Sequence, residues 1–355
     1  MRNGPAKAKR PTLKDVAKIV GVHISTVSRA LDPKASHLIT AEVGDRIRAV
    51  CAELNYRPNS IAWSLRTTRT RTIGVVIPDI KNPLFPPIFR GIEDGLAAEG
   101  YVAIMVNTDG DPLREAPLIE TLIARGVDGF IVASVLLHDE FILEVVKRGF
   151  PVVTVNRKVD DDTVPSVTND DDFGIKRMLT HLVALGHRDI AFVSGPPSLS
   201  TGRIRYDAFM SHRLTMGVSQ DDALIAVADR FNEVDGERCT EQILATGRSF
   251  TAVLCANDLL AIGAIAALRR RGLNCPADVS VTGFNDMAFV DRIDPPLTTI
   301  RIQHYEIGRS ASQILLGLLR NESAQRAIHK VMPVELVARQ SSCPASLAPY
   351  AGRTR

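Results

Sequence analysis

TLKDVAKIVGVHISTVSRAL, residues 12–31, reads as two short helices joined by a glycine turn. Thr12 stands where a cap is needed. Asp15, three residues on, completes a capping box and puts a carboxylate at the positive end of the helix dipole. Leu13, Val16, Ala17 and Val20 recur on one face at helical spacing. Gly21 supplies the left-handed conformation an interhelical turn demands, and the small Ala17 lets a second helix cross close by. On that second helix Val22, Val27 and Leu31 turn inward, leaving Ile24, Ser25, Ser28 and Arg29 outside, where a helix-turn-helix meets the major groove.

A helical hairpin buried in a core would use the same pattern, and charge separates the two readings. Residues 1–72 carry fourteen Lys or Arg against five Asp or Glu. That net of +9 leaves −6 on the remainder of a chain whose total is +3. A basic N-terminal module on a mildly acidic body is what phosphate binding asks for.

A chain of 355 residues, 45% hydrophobic, allows two or three domains with real cores. Apolar runs such as 73–77 and 129–133 are far too short to span a bilayer, and the N-terminus is basic and polar. A cytoplasmic protein with no membrane partner is the expectation. The cysteines, Cys51, Cys239, Cys255, Cys275 and Cys343, are odd in number, widely spaced and without a CxxC pair. They read as reduced packing residues, not as a disulfide framework or zinc site.

Residues 1–10, basic and without periodicity, read as an arm expected to stay disordered until it meets phosphate. Thr40 is placed to cap a third helix carrying Val43, Ile47, Val50 and Leu54 on one face. Pro58 and Asn59 can start a helix of barely two turns, Ser60 to Leu65, too short to stand alone in water. From Thr72 the pattern becomes short β-rich runs alternating with helices, the signature of a parallel sheet with crossover helices. Strands are expected at 73–77, 102–106, 129–133 and 152–155, with helices from about Phe85, Arg114 and Asp139. A second set follows at 190–194, 224–227, 252–255 and 279–283, with helices from about Asp172, Arg203, Val234 and Asp258. Two doubly wound lobes are the natural solution.

Ligands in such sheets bind beyond the carboxyl ends of the strands. Asp79, Asn82, Asn107, Ser134, Asn156 and Arg157 stand there in the first set; Gly195, Asn257, Asp258, Asn285 and Asp286 stand there in the second. Loops of this kind are rich in Asn and Asp because those residues turn chains and cap helices. The cluster nonetheless offers the donors and acceptors a polyhydroxylated ligand needs, with Phe85 and Phe231 as an apolar floor. There is no GxGxxG after the first strand, no GxxxxGK[ST], no HExxH and no GxSxG. Neither catalysis nor a cofactor nor a metal is expected. His181 and His187 read as complements to a helix C-terminus. The acidic runs 160–162 and 170–172 read as solvated loop and helix-start charges.

The chain resembles the lactose-repressor (LacI/GalR) family of bacterial transcription regulators from end to end. The motifs that carry the likeness are TLKDVAKIVGVHISTVSRAL, ELNYRPNSIAWSLR, HLVALGH, ANDLLAIGA and VTGFNDMAFVDRIDPPLTTI, in the family's order and spacing. The resemblance implies an α/β protein with an all-α helix-turn-helix head at 11–57, a hinge helix and linker at 58–71, and a tail at 344–355. Between them, residues 72–343 would form a two-lobed, doubly wound effector domain similar to periplasmic binding proteins. Lobe 1 would take about 72–167 and 302–331, and lobe 2 about 168–301 and 332–343.

It further implies a homodimer on double-stranded, pseudopalindromic operator DNA, with a small-molecule effector, a sugar or sugar acid, in the cleft. Ile24, Ser25 and Arg29 match the family's major-groove readers. Thr26 and Ser28 match phosphate and scaffold positions, and Thr12, Asn59 and Ala62 join the DNA-facing set. Leu65 falls on the hinge leucine that wedges into the minor groove, with the basic Arg66 beside it. In the cleft, Arg205 falls on the arginine that grips effector hydroxyls or carboxylates. Asn156, Asn257 and Asn285 fall on further ligand positions, as do Phe231 and His304, and the strand-end Asp79, Asn82 and Phe85 complete the expected set. His23 departs from the family's small hydroxyl cap, Asn285 stands where many relatives have Asp, and His304 replaces an aromatic hydrocarbon. The tail has no leucine heptad, so the family's occasional tetramerising helix is missing. A sugar-binding transport protein, an enzyme acting on a nucleotide or sugar, and a corepressor-type regulator of nucleobase metabolism are the competing readings.

Overall fold

The computed structural model describes residues 11–31, 35–56, 69–321 and 327–345. It divides at Thr70 and Arg71 into two compact units. The first holds helices α1 (Leu13–Val20), α2 (Ile24–Ala30) and α3 (Ala41–Glu53). The Asp15 carboxylate accepts from both the backbone N–H and the hydroxyl of Thr12 at 2.7 Å, as the spacing predicts. Gly21 ends α1 at φ 75°, its N–H returning to the Ala17 carbonyl. Val16, Ala17, Val20, Val27, Ala30, Ile47, Cys51 and Tyr56 close the core. Arg46 of α3 donates to the Val20 carbonyl at 3.0 Å and so ties the third helix to the end of the first. Thr40 occupies the cap position of α3 but its hydroxyl makes no cap bond. The arm at 1–10, the expected hinge helix at 60–65 and the tail from 346 lie outside the described residues.

The second unit contains β1 (Thr72–Ile77), α4 (Phe85–Ala97), β2 (Val102–Asn107), α5 (Pro112–Ala124), β3 (Gly129–Val132), α6 (Glu140–Lys147), β4 (Val152–Val155) and β5 (Ser166–Asn169). These are followed by α7 (Asp171–Ala184), β6 (Ile190–Ser194), α8 (Ser200–Thr215), β7 (Ile225–Val227), α9 (Glu233–Ala245), β8 (Ala252–Cys255), α10 (Asp258–Arg270) and β9 (Ser280–Thr282). The remaining elements are β10 (Thr299–Arg301), α11 (His304–Leu319), β11 (His329–Met332) and β12 (Glu335–Val337). One parallel sheet runs in the order β11-β5-β4-β3-β1-β2 and another β7-β6-β8-β9. Both have helices on either face, which is why β1, β3 and β4 are buried along almost their whole length. Alternation persists within that burial: Ile73, Val75 and Ile77 share one core with α4, while Val76 joins Ile119, Leu122, Ile142 and Val145 on the opposite face.

Strand order reverses beside β1 and β3 in the first sheet and beside β6 and β8 in the second. Those are the switch points where a doubly wound sheet opens a crevice at its carboxyl edge. A small antiparallel pair, β10 with β12, carries the chain between the lobes, and isolated bridges join Thr282 to Thr298 and Asn285 to Arg301. Among the described residues no helix is long and apolar enough to cross a membrane.

His181 and His187 do not serve their own helix end. His187 bonds the Thr251 hydroxyl at 2.8 Å and the Cys343 carbonyl at 2.9 Å, and His181 bonds the Ser342 hydroxyl at 2.9 Å. They fasten the C-terminal segment to the second sheet, and burial holds both imidazoles below their ordinary pKa.

Candidate functional site

On α2, Val27 and Ala30 face the core, Ile24, Thr26 and Ser28 are half-buried, and Ser25 and Arg29 are exposed. His23 does cap the helix, with imidazole in place of a hydroxyl: Nδ1 lies 3.3 Å from the Ser25 N–H and 2.8 Å from the Ser25 hydroxyl. The ring thus holds Ser25 from both its backbone and its side chain. Thr12 is exposed at the start of α1, as are Lys14 and Lys18 along it. Asn59, Ala62, Leu65 and Arg66 lie outside the described residues.

In the body, Arg205 of α8 is a deeply buried arginine, 2% exposed. Nε and Nη2 donate to Asp171 at 2.9 and 2.8 Å, and Nη1 to the Ala256 carbonyl at 2.6 Å. Nη2 also reaches Asn285 Oδ1 at 3.5 Å, and the guanidinium lies 3.7 Å over the Phe284 ring. Asp171 is therefore not a solvated helix-start charge: it is buried, its carboxyl pushed up by that burial with Arg205 opposing. Helical spacing carries the signal, because Asp171, Ile175, Met178 and Leu182 share the inward face of α7. Its neighbours behave differently, Asp170 capping α7 and Asp172 meeting His212 in solvent.

Around Arg205, a recess of about 20 Å³ is lined by Asn82, Phe85, Asn156, Thr201, Phe231, Asn257 and Asn285 with Arg157 and Leu84. Four asparagine amides there commit their oxygens to the protein. Asn82 Oδ1 accepts from Leu84 N–H, Asn257 Oδ1 from Leu260 N–H, Asn156 Oδ1 from Asn169 and Asn285 Oδ1 from Arg205. Their NH2 groups are what remains for a ligand. Asn156 and Asn285 adopt positive φ of 62° and 118°, a conformation asparagine tolerates better than most side chains. Gly195 at the end of β6 makes room for Phe231, since a Cβ there would fall 2.1 Å from its ring.

Asp258 holds this edge together from behind. Fully buried at the start of α10, it accepts from the Thr299 hydroxyl and, at 2.9 Å, from the Met287 N–H. Burial outweighs these donors and raises its carboxyl to about 7.

The recess opens into a larger chamber of about 490 Å³ that shares Asn82, Arg157 and Phe231 with it and reaches Asp79, Glu115, Ser134 and Asp139. Arg157 is buried, donating weakly to the Ser134 carbonyl at 3.5 Å, while its Nε has no partner; the buried Ser134 hydroxyl faces the Glu115 carboxyl without a well-formed bond. Burial brings Arg157 down to about 10. Glu115, buried on α5, is raised by burial to about 7, with Ser134 and Arg157 opposing and Asp139 reinforcing.

Seven expected cleft residues, Asn82, Phe85, Asn156, Arg205, Phe231, Asn257 and Asn285, meet at the recess, and Asp79 lies in the outer chamber. His304 lines neither. It begins α11 with a buried Nε2 that has no partner, and burial lowers its pKa to about 4. Glu115, Thr201 and Asp171 were not among the expected ligand residues. Glu115 carried the same signal as Asp171, standing in line with Ile119 and Leu122 on the buried face of α5.

Comparison with known proteins finds two family models in succession. Residues 12–59 match bacterial regulatory proteins of the lacI family, and residues 70–338 match the periplasmic binding proteins and sugar binding domain of the LacI family. The transcriptional regulator RegA of Clostridium saccharobutylicum is 33% identical over 332 residues, covering 93% of this chain and 99% of RegA. The ribose operon repressor of Bacillus subtilis is 31% identical with 93% and 98% coverage. Among solved structures, the lac repressor dimer bound to operator and an anti-inducer superposes with a TM-score of 0.83 at 28% identity, covering 94% of this chain and all of the other.

Proposed function

The chain belongs to the LacI family of bacterial regulatory proteins, and from that premise we propose a transcriptional repressor whose hold on operator DNA is set by a sugar in its cleft. The observation that carries the first half is the outer face of α2. It presents Ser25 and Arg29 to solvent while Val27 and Ala30 anchor it, on a module of net +9. The forked guanidinium of Arg29 suits a guanine edge, and Ser25 is held in place by His23. The second half rests on the recess, where four amide donors and Arg205 converge at sheet switch points with Phe85 and Phe231 beside them. Hydroxyl oxygens are the acceptors that such a set calls for.

A homodimer follows from the family, and the edge strand β2 supports it by exposing Val102, Ile104 and Met105. Paired heads then read the two halves of a pseudopalindrome. Binding, not catalysis, is the chemistry the site is built for.

The test is selection of duplexes from a random pool by the full-length protein, followed by anisotropy titrations with and without candidate sugars. A symmetric consensus whose affinity changes at least severalfold with one sugar is the expected result. Enrichment of no sequence above background would overturn the operator half. A symmetric consensus indifferent to every sugar would overturn the effector half.

A further inference from the structure

We infer that the outer chamber is a second subsite built for an uncharged sugar ring, so that the effector is a neutral disaccharide or glycoside, with Ser134, Arg157 and Glu115 reading its second ring. This rests on the proposal that the cleft binds a sugar.

Size is the first argument. The recess beside Arg205, at about 20 Å³, admits one water-sized group, because a water takes roughly 10–15 Å³ of such space. Only a hydroxyl or hydroxymethyl edge of the ligand reaches it, and the bulk must lie outside. The chamber of about 490 Å³ holds dozens of water-sized groups. A single hexose, with about twelve non-hydrogen atoms, leaves most of that volume to solvent; two linked rings fill it in the manner of ordinary ligand pockets, roughly 300–1,000 Å³.

Unsatisfied polar groups are the second. The Arg157 Nε is buried without a hydrogen-bond partner, the Ser134 hydroxyl has only a loose contact with Glu115, and both residues line the chamber. Buried donors left unmade cost more than made ones return, so they mark where a ligand oxygen belongs. Phe231 spans recess and chamber and Phe141 lies further out, giving apolar faces to both rings.

Charge is the third. Asp79, Asp109, Asp139, Glu140 and Asp229, with a Glu115 that is only part-ionised near neutral pH, line the chamber against Arg157 and Arg230. Asp109 and Asp229 are paired with Arg114 and Arg238, which leaves the field negative. An anionic second ring would enter against that field, whereas hydroxyls can take a bond from Arg157 and give one to a carboxylate.

Calorimetry on the full chain decides the matter, using cellobiose, maltose, lactose and sucrose against glucose, galactose, fructose and ribose, with glucuronate as the acid. One neutral disaccharide should bind at least tenfold tighter than its component sugars and than glucuronate. Ser134→Ala and Glu115→Ala should each weaken that disaccharide several-fold to tenfold, with monosaccharide binding unchanged; Glu115→Gln, which keeps shape and hydrogen bonding, should retain most of it. Melting curves confirm that each variant is folded. A monosaccharide or glucuronate binding as tightly as any disaccharide would overturn the inference while leaving the sugar-responsive repressor intact, as would Ser134→Ala and Glu115→Ala proteins with wild-type disaccharide affinity. If no sugar of either size binds, the sugar reading of the cleft falls and the subsite with it.

Discussion

Arg205→Ala should lower the stability of the body as well as its affinity for ligand, and the two effects can be separated. The substitution removes two bonds to Asp171, one to the Ala256 carbonyl and the stack on Phe284. More serious is what it leaves: Asp171, 3% exposed, without a counter-charge. Stranding one member of a buried pair costs about 3–5 kcal/mol. For a unit of this size that is a fall in Tm on the order of 10 °C. The sign with pH follows from the partnerless carboxyl, whose folded-state pKa then lies far above its ordinary value of about 3.9. An acid raised in the folded state loses stability as pH climbs from the unfolded pKa toward the folded one. The deficit should therefore be larger at pH 8 than at pH 5. Thermal melts of wild type, Arg205→Ala and Asp171→Asn/Arg205→Ala across that range test it. The double variant should recover much of the Tm, and as a folded protein without the guanidinium it should bind operator while ignoring the effector. A single variant melting with the wild type at pH 8, or a double variant no more stable than the single, would refute the reasoning.

Arg29→Ala should relax base preference by about 1–3 kcal/mol at one position of each half-site, whereas Lys14→Ala should weaken all duplexes evenly with a shallower salt slope; specificity profiles from duplex selection separate them. His23→Ala removes the α2 cap and should cost the head about 1 kcal/mol in melting experiments, and His23→Ser should restore most of it. Asp258, raised to about 7 in the fold, makes wild-type stability fall as pH rises from about 4 to 7; Asp258→Asn should flatten that slope in denaturant titrations. Leu65→Ala should weaken specific binding more than nonspecific binding and shrink the ligand response, both read in one anisotropy titration.

Where local chemistry sets an element, the sequence was enough. Asn257 caps α10 through Leu260 N–H and Asp139 caps α6 through Ile142 N–H, so both helices begin where the alternation of strands and helices placed them. The strands β5, β10, β11 and β12 were invisible for the opposite reason. SVTN and HKVM are short and partly polar, and β11 becomes a strand only because β5, more than 150 residues earlier, offers it an edge. The head was legible nearly residue by residue, yet the capping role of His23 was not, since nothing in the chain tells which imidazole nitrogen turns toward Ser25.

The cleft shows the same boundary at finer grain. A cluster of Asn at strand ends was readable as a polar site, but an asparagine offers both an acceptor and a donor, and sequence leaves open which end the ligand meets. The fold decides it at four positions by taking the oxygen for itself, through a turn at Asn82, a helix cap at Asn257, and side-chain bonds at Asn156 and Asn285. Asn285 matters most, because an aspartate there would bring a second carboxylate to an arginine already paired with Asp171 and would present acceptors alone. With asparagine, Arg205 keeps one anionic partner and the recess keeps its donor character. The ligand edge that enters must then be rich in lone pairs and need few acceptors in return, which is how a hydroxyl group already bonded onward to its own ring neighbour behaves.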